Sequence, residues 1–210
     1  MRLVLVGSTG LVGSHVLDQA LQDPEVTSVV APVRGHALRD HPKLTMPRIE
    51  FDALDEHAPW WRADAVICTL GTTMKRAGTH AAFRRVDHDY PLAVGRMAHA
   101  HGTPAYVLNS AIGADAGSTF FYNRVKGELE RDLATVGFDS LTVVRPGVIG
   151  GARREVRAGE RALVAGLTLI GPLLPRRWRL NPAPQIASAL LQAAKEVKPG
   201  HHVVTSDRLT

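Results

Sequence analysis

Tyr122 and Lys126 lie four residues apart in FFYNRVKGELE, a stretch with helical apolar spacing, so the two side chains share one face and one turn. An ammonium beside a phenol favours the phenolate and brings its proton exchange toward neutral pH. The pair is thereby equipped to give a proton to, or take one from, a carbonyl or alcohol oxygen. Lysine can also hold sugar hydroxyls. Ser110 stands before the pair at the end of an apolar run, where its hydroxyl can donate to a developing oxyanion. Tyrosine and lysine at this spacing are common by chance, as an aromatic helix face with an exposed lysine. The order of serine, tyrosine and lysine behind a glycine-rich loop sets this trio apart.

That loop is GSTGLVG, comprising Gly7, Ser8, Thr9, Gly10, Leu11, Val12 and Gly13, between the apolar run Arg2 to Val6 and the helical pattern of Leu11, Val16, Leu17 and Leu21. The first glycine permits a tight turn, the second lets backbone approach a pyrophosphate, and the third allows helix and strand to pack closely. The helix N-terminus offers unsatisfied N–H groups and a favourable dipole to an anion, and Ser8 and Thr9 add hydroxyl donors. A dinucleotide is the expected ligand. The ribose end is read about twenty residues further on, where an acidic residue would select a free 2′-hydroxyl. Arg34 occupies that place, which favours NADP(H) over NAD(H) because guanidinium grips phosphate, unless Arg34 is an ordinary surface arginine. Asp52 is positioned either to accept from the adenine amino group or to form a turn.

Elements that position these residues follow from the alternation of patterns. Strands are expected over 2–6, 27–33, 49–51, 64–70, 105–109 and 141–144. A long helix over 80–101 carries a kink or break near Pro91, and a helix over 120–136 is ended by Gly137. A proline-started helix in NPAPQIASALLQAAKEV and a last strand in HHVVTS complete the chain. This implies a doubly wound α/β Rossmann fold, a parallel sheet of six or seven strands flanked by helices, with a small C-terminal substrate-side elaboration. We read residues 1–210 as one NAD(P)-binding domain, core 1–150 and substrate-side segment 151–210.

Composition bounds the rest. The chain has 210 residues, 45% hydrophobic and 21% charged, enough apolar surface for a sizeable core. The lone Cys68 excludes an internal disulfide and reads as a buried strand residue. His99 and His101 read as a solvated helix end, and no metal-ligand spacing is present. A net charge of +5 favours anionic partners. The arginine groups 153, 154, 157, 161 and 176, 177, 179 lack the aromatic platforms of a nucleic-acid surface, so nucleic acid is not an expected partner. Leu163 to Leu174 reads as an apolar pocket wall or a packing surface. With no apolar stretch long enough to span a bilayer and no signal-peptide pattern, a cytoplasmic monomer or homodimer is expected.

GSTGLVG, CTLGTTMKRAG, FRRVDHDY, SAIGAD with FFYNRVKGELE, and VRPGVIGGARREVRAGE together resemble the short-chain dehydrogenase/reductases, in the atypical branch that includes the Tat-interacting protein oxidoreductase-like proteins. The resemblance spans nearly the whole chain. It implies an extended Rossmann core, NADP(H), and a Ser/Tyr/Lys site at Ser110, Tyr122 and Lys126. It further implies that Leu70, Gly71 and Thr72 line the cofactor and that Pro146, Gly147, Val148 and Ile149 meet its nicotinamide end. Related sequences often carry paired serines where this chain reads Ser110-Ala111, so if the second serine is the working one, Ser110 is only its neighbour. Asn109 and Asp87 lie near these motifs, and proton resupply has no assigned residue. The leading reading is an NADPH-dependent reductase of a small carbonyl-type molecule. The alternatives are an NADPH-binding regulatory or interaction protein without turnover and, last, a sugar-nucleotide epimerase or dehydratase, for which the region after the sixth strand is short.

Overall fold

Alternation along the first strand already divides the interior in two. Leu3 and Leu5 point to one side of the sheet and Val4 and Val6 to the other, and each pair enters a different core. The computed structural model describes residues 1–36, 39–150 and 180–210. Its strands are β1 (Arg2–Val6), β2 (Ser28–Val30), β3 (Leu44–Thr45), β4 (Ala65–Cys68), β5 (Ala105–Asn109), β6 (Ser140–Arg145), β7 (Ile149–Gly150), β8 (Asn181–Pro182) and β9 (Gly200–Thr205). Seven form one sheet in the order β3-β2-β1-β4-β5-β6-β9, with every pairing parallel. The order departs in opposite directions from β1, through β2 on one side and β4 on the other. The carboxyl ends of β1 and β4 therefore flank a switch-point crevice, where ligands bind in open α/β sheets. This is the doubly wound Rossmann fold that the sequence implies.

The helices are α1 (Leu11–Gln22), α2 (Met74–Ala77), α3 (His80–Arg84), α4 (Tyr90–Ala100), α5 (Phe121–Ala134) and α6 (Ala183–Glu196). α1 and α6 cover one face, where Val16, Leu17, Ile186 and Leu190 meet Leu3, Leu5, Ile67 and Val107. α4 and α5 cover the other, where Leu92, Val94, Leu129 and Leu133 meet Val66, Tyr106 and Leu108. Each such buried leucine, isoleucine or valine contributes about 1.5–3 kcal/mol.

Three expectations change. The strand expected at 49–51 is displaced to Leu44–Thr45, which pairs with Val29 and Val30. β2 ends at Val30, short of the expected 33, because Pro32 has no N–H to give the ladder. Beyond it, among the described residues, only the Val33–Arg48 bridge survives, and Phe51 is buried in a turn. The helix expected over 80–101 with a kink or break near Pro91 continues through the proline, and its irregularity lies just before it. It passes through a π-turn, Arg85–Asp89, in which the Tyr90 N–H reaches back to the Arg85 carbonyl. A widened turn just ahead of a proline accommodates a residue that cannot donate to the preceding turn. Within the segment 151–210, the described residues 180–210 contribute to the core and the sheet. α6 packs on α1 and the sheet, and β9 pairs with β6 along its length, from Ser140 opposite Gly200 to Arg145 opposite Thr205. The arginine groups 153–161 and 176–179 and the apolar run 163–174 lie outside the described residues.

Candidate active site

The glycine loop bends from β1 into α1 with Gly7 at φ +90°, in the left-handed region. A Cβ at Gly7 would sit 2.7 Å from the Thr69 carbonyl carbon, and one at Gly13 would sit 2.1 Å from the Gly7 oxygen, so only hydrogens fit. The Gly10 N–H closes the turn on the Gly7 carbonyl at 3.0 Å. Gly10 caps α1 without a side-chain bond and the first turn carries no acid, which leaves the opening N–H groups to an anion. Ser8 is buried and its Oγ has no hydrogen-bond partner among the described residues. A cradle from which side chains are excluded, with an unpaired hydroxyl beside it, fits a pyrophosphate.

At the far end of the crevice, Arg34 is exposed and makes no ion pair or hydrogen bond among the described residues. Asp52 is fixed by the Tyr90 hydroxyl, which donates to its Oδ2 at 2.9 Å while the Tyr90 ring stacks on Phe51. Burial, and then Asp52 itself, push the Tyr90 phenol up, so it stays a donor.

On α5, Tyr122 is 40% exposed at the mouth of the site, whereas Lys126, one turn on, is buried. The Lys126 ammonium lies 2.8 Å from Asp87 Oδ1, and Asp87 Oδ2 accepts from the Thr72 N–H at 2.7 Å. Burial pulls the lysine down, but Asp87 and then Tyr122 outweigh it, and Lys126 ends above its ordinary value. The loop after β4 rests on this pair: a Cβ at Gly71 would stand 3.4 Å from Asp87 Oδ1 and 3.9 Å from Lys126 Nζ. Phe83, fully buried, braces the Tyr122 ring at 5.8 Å between centroids.

Ser110 is turned elsewhere. Its buried hydroxyl donates to Glu130 Oε1 at 2.5 Å, and Arg145 Nε reaches both oxygens of that carboxylate at 3.1 Å. The serine's proton is thus committed to Glu130 instead of facing the crevice, which argues against the oxyanion role expected for it. Ala111, at the position of the second serine, has no hydroxyl to substitute. Glu130 escaped the sequence reading, although Tyr122, Lys126 and Glu130 form an i, i+4, i+8 stripe on α5. Asn109 Oδ1 is also buried and unpaired among the described residues.

The loop 146–149 is fastened by a residue that no motif flagged. Asn181, fully buried, accepts from the Gly147 N–H at 2.6 Å, donates its own N–H to the Val148 carbonyl at 2.9 Å, and donates its amide to the Ser206 and Leu209 carbonyls. It ties the expected nicotinamide end to the C-terminus. Among the described residues, Met74, Ile112, Phe120 and Val148 are exposed apolar side chains on segments following β4, β5 and β6.

A Rossmann sheet with a glycine cradle at its switch point and a Tyr/Lys pair at its carboxyl edge defines the short-chain dehydrogenase/reductase class. The enzyme WbmH of Bordetella bronchiseptica, whose structure is in complex with NAD+, superposes with a TM-score of 0.72 at 17% identity, over 98% of this chain and 75% of that one. That likeness concerns the fold. In sequence, Protein fmp52 of Aspergillus fumigatus is 34% identical over 174 residues, 79% of this chain and 74% of the relative. Protein HTATIP2 of Rattus norvegicus is 44% identical over 113 residues, 53% of this chain and 46% of the relative. The chain belongs to the Fmp52/HTATIP2 family, an atypical short-chain dehydrogenase/reductase branch. No protein-family model matches it.

The relatives also correct an expectation. Several Fmp52 proteins are named as mitochondrial, which overturns the cytoplasmic assignment. That assignment rested on the absence of a secretory pattern, and an organelle address is read by receptors, not by the composition of the folded core. No helix among the described residues is long and apolar enough to cross a membrane.

Proposed function

We propose that the chain is an NADP(H)-dependent oxidoreductase that reduces a carbonyl group of a small molecule, with Tyr122 supplying the proton. The observation that carries this reading is the placement of Tyr122 one turn from a buried, charge-paired Lys126 at the carboxyl edge of the sheet. Gly7, Ser8, Thr9, Gly10, Leu11, Val12 and Gly13 would hold the pyrophosphate, and Arg34 the 2′-phosphate. Asp52, through the oxygen that Tyr90 leaves open, would meet the adenine amino group. Leu70, Gly71, Thr72 and Lys126 would border the ribose, and Pro146, Gly147, Val148 and Ile149 the nicotinamide. When bound, the dinucleotide supplies hydride.

Tyr122 Oη, exposed at the mouth, can reach an incoming carbonyl oxygen and protonate it as negative charge develops. The Lys126 ammonium stabilises the charge left on Tyr122, and Phe83 fixes the ring. Met74, Ile112, Phe120 and Val148 around the mouth suit an apolar acceptor better than a charged one. Oxidation of NADPH by the wild-type protein against aldehydes and ketones with apolar substituents tests the reading. Consumption that depends on both acceptor and Tyr122 supports it, and NADPH binding without turnover of any acceptor favours a regulatory role.

Two substitutions refine the assignment. Arg34→Ala should weaken NADPH binding by about 10–100-fold while leaving NADH nearly unchanged, since a charge-assisted contact contributes roughly 1.5–3 kcal/mol. Titration of both cofactors checks this, and equal affinities in the wild type would contradict the phosphate argument. Ser110→Ala should reduce kcat by less than about tenfold, because the hydroxyl serves Glu130. Loss of an oxyanion donor would instead cost on the order of 10²–10³.

A further inference from the structure

We propose that Asp87 is a positioning residue that clamps the Lys126 ammonium with one carboxylate oxygen and the Thr72 amide with the other, joining the active-site lysine to the loop that would border the cofactor ribose. The inference deepens the oxidoreductase reading and rests on it for its catalytic meaning. The clamp itself is a property of the free protein.

Three segments distant in sequence converge here: the loop following β4, the π-turn Arg85–Asp89, and α5. The carboxylate side chain is 2% exposed and the ammonium 4%, so neither is exchanged for water at low cost. Groups facing Lys126 are Asp87 from the π-turn, Tyr122 one turn earlier on α5, and Cys68 at the end of β4. Cys68 is a fully buried thiol that burial pushes up, so it is neutral near pH 7. Asp87 is therefore the counter-charge that keeps the ammonium ionised against its burial. Its second oxygen satisfies Thr72 N–H and holds the loop against that charge.

The sign of the pH dependence follows. In the wild type Lys126 sits above its ordinary 10.5, so its pairing supports the fold throughout the neutral range and that support fades only as pH rises through the elevated value. Asp87→Asn keeps an acceptor for Thr72 but removes the charge. Burial is then opposed only by Tyr122 and Cys68 and pulls Lys126 below its wild-type value, so the folded state must hold an unpaired ammonium at neutral pH. The variant should be destabilised most near neutrality and recover toward the wild type as pH rises to 10.

The test is a titration of lysine side-chain carbon resonances in the cofactor-free protein, with Lys126 assigned through Lys126→Arg. The chain's other lysines are Lys43, Lys75, Lys195 and Lys198. In the wild type, Lys126 should titrate above the ordinary lysine value of 10.5. In Asp87→Asn it should titrate at lower pH, and the Tm deficit should shrink with rising pH. A wild-type Lys126 midpoint at or below 10.5, or an unchanged midpoint in Asp87→Asn, overturns the clamp. If Asp87→Asn does not fold, the wild-type titration decides alone. A wild type that shows the elevated Lys126 but binds no NADPH would sink the oxidoreductase reading and leave the clamp standing.

Discussion

Tyr122→Phe is expected to lower kcat by about 10²–10⁴ while leaving NADPH affinity and Tm close to wild type. A positioned general acid contributes on that scale, and the substitution removes one hydroxyl and nothing else. The side chain stands at the mouth of the site, 40% exposed, and the Phe83 contact that braces the ring does not use the oxygen, so folding should change by no more than about 0.5 kcal/mol. The effect should be larger than in most enzymes that pair this tyrosine with a serine. Ser110 is committed to Glu130 and Ala111 has no hydroxyl, so Tyr122 carries the carbonyl oxygen largely alone. Single-turnover reduction of an accepted carbonyl measures this step apart from cofactor release. Turnover retained within about tenfold would transfer the proton donor to another group and remove Tyr122 from the mechanism.

Gly13→Ala is expected to abolish measurable NADPH binding and to lower Tm by several degrees. Helix propensity works the other way: alanine inside α1 would gain about 1 kcal/mol over glycine. Sterics decide. The new Cβ would lie 2.1 Å from the Gly7 oxygen and 2.6 Å from Thr69 Oγ1, and both belong to the tight packing of loop on strand. Relief requires displacement of the turn, at a cost of about 1–3 kcal/mol or more, or roughly 2–4 °C per kcal/mol for a chain of this size. The same displacement moves the α1 N-terminus away from the phosphate, at roughly 1.5–3 kcal/mol for each charge-assisted bond lost. Gly35→Ala is the control, because a Cβ there meets nothing within 4 Å. Calorimetry of NADPH binding, with thermal unfolding in parallel, separates the two contributions. Unchanged binding in Gly13→Ala would place the phosphate elsewhere.

The parts of the fold legible in the sequence were those where one local pattern gave way to another. The first strand, glycine loop and α1 stand out because a continuous apolar run gives way to helical spacing at Gly7. α5 stands out because Val125, Leu129 and Leu133 stripe its inner face. β3 was illegible because two residues have no period, and the apolar Ile49 and Phe51 that drew attention serve packing instead. The π-turn was invisible because only its backbone pairing distinguishes it from α-helix. Within the site, the Tyr/Lys pair was local and therefore readable. The partners of the site residues were not: Asp87 with Lys126, Glu130 with Ser110, and Asn181 with Gly147 are hydrogen bonds across elements, set by packing and not by spacing. An acidic residue on the same α5 stripe as Tyr122 and Lys126 was the one available signal, and it was present at Glu130.

The proposed function turns on one claim, that the crevice opened by Gly7, Gly10 and Gly13 takes a 2′-phosphorylated nicotinamide dinucleotide. Equilibrium titration of the wild-type protein with NADPH, read by quenching of intrinsic fluorescence and repeated with NADH and with 2′-phospho-AMP as competitor, tests it most directly. Saturable one-to-one NADPH binding, tighter than NADH by at least about tenfold and displaced by 2′-phospho-AMP, is the result expected from a cradle with Arg34 at its far end. No saturable binding of either dinucleotide would contradict it.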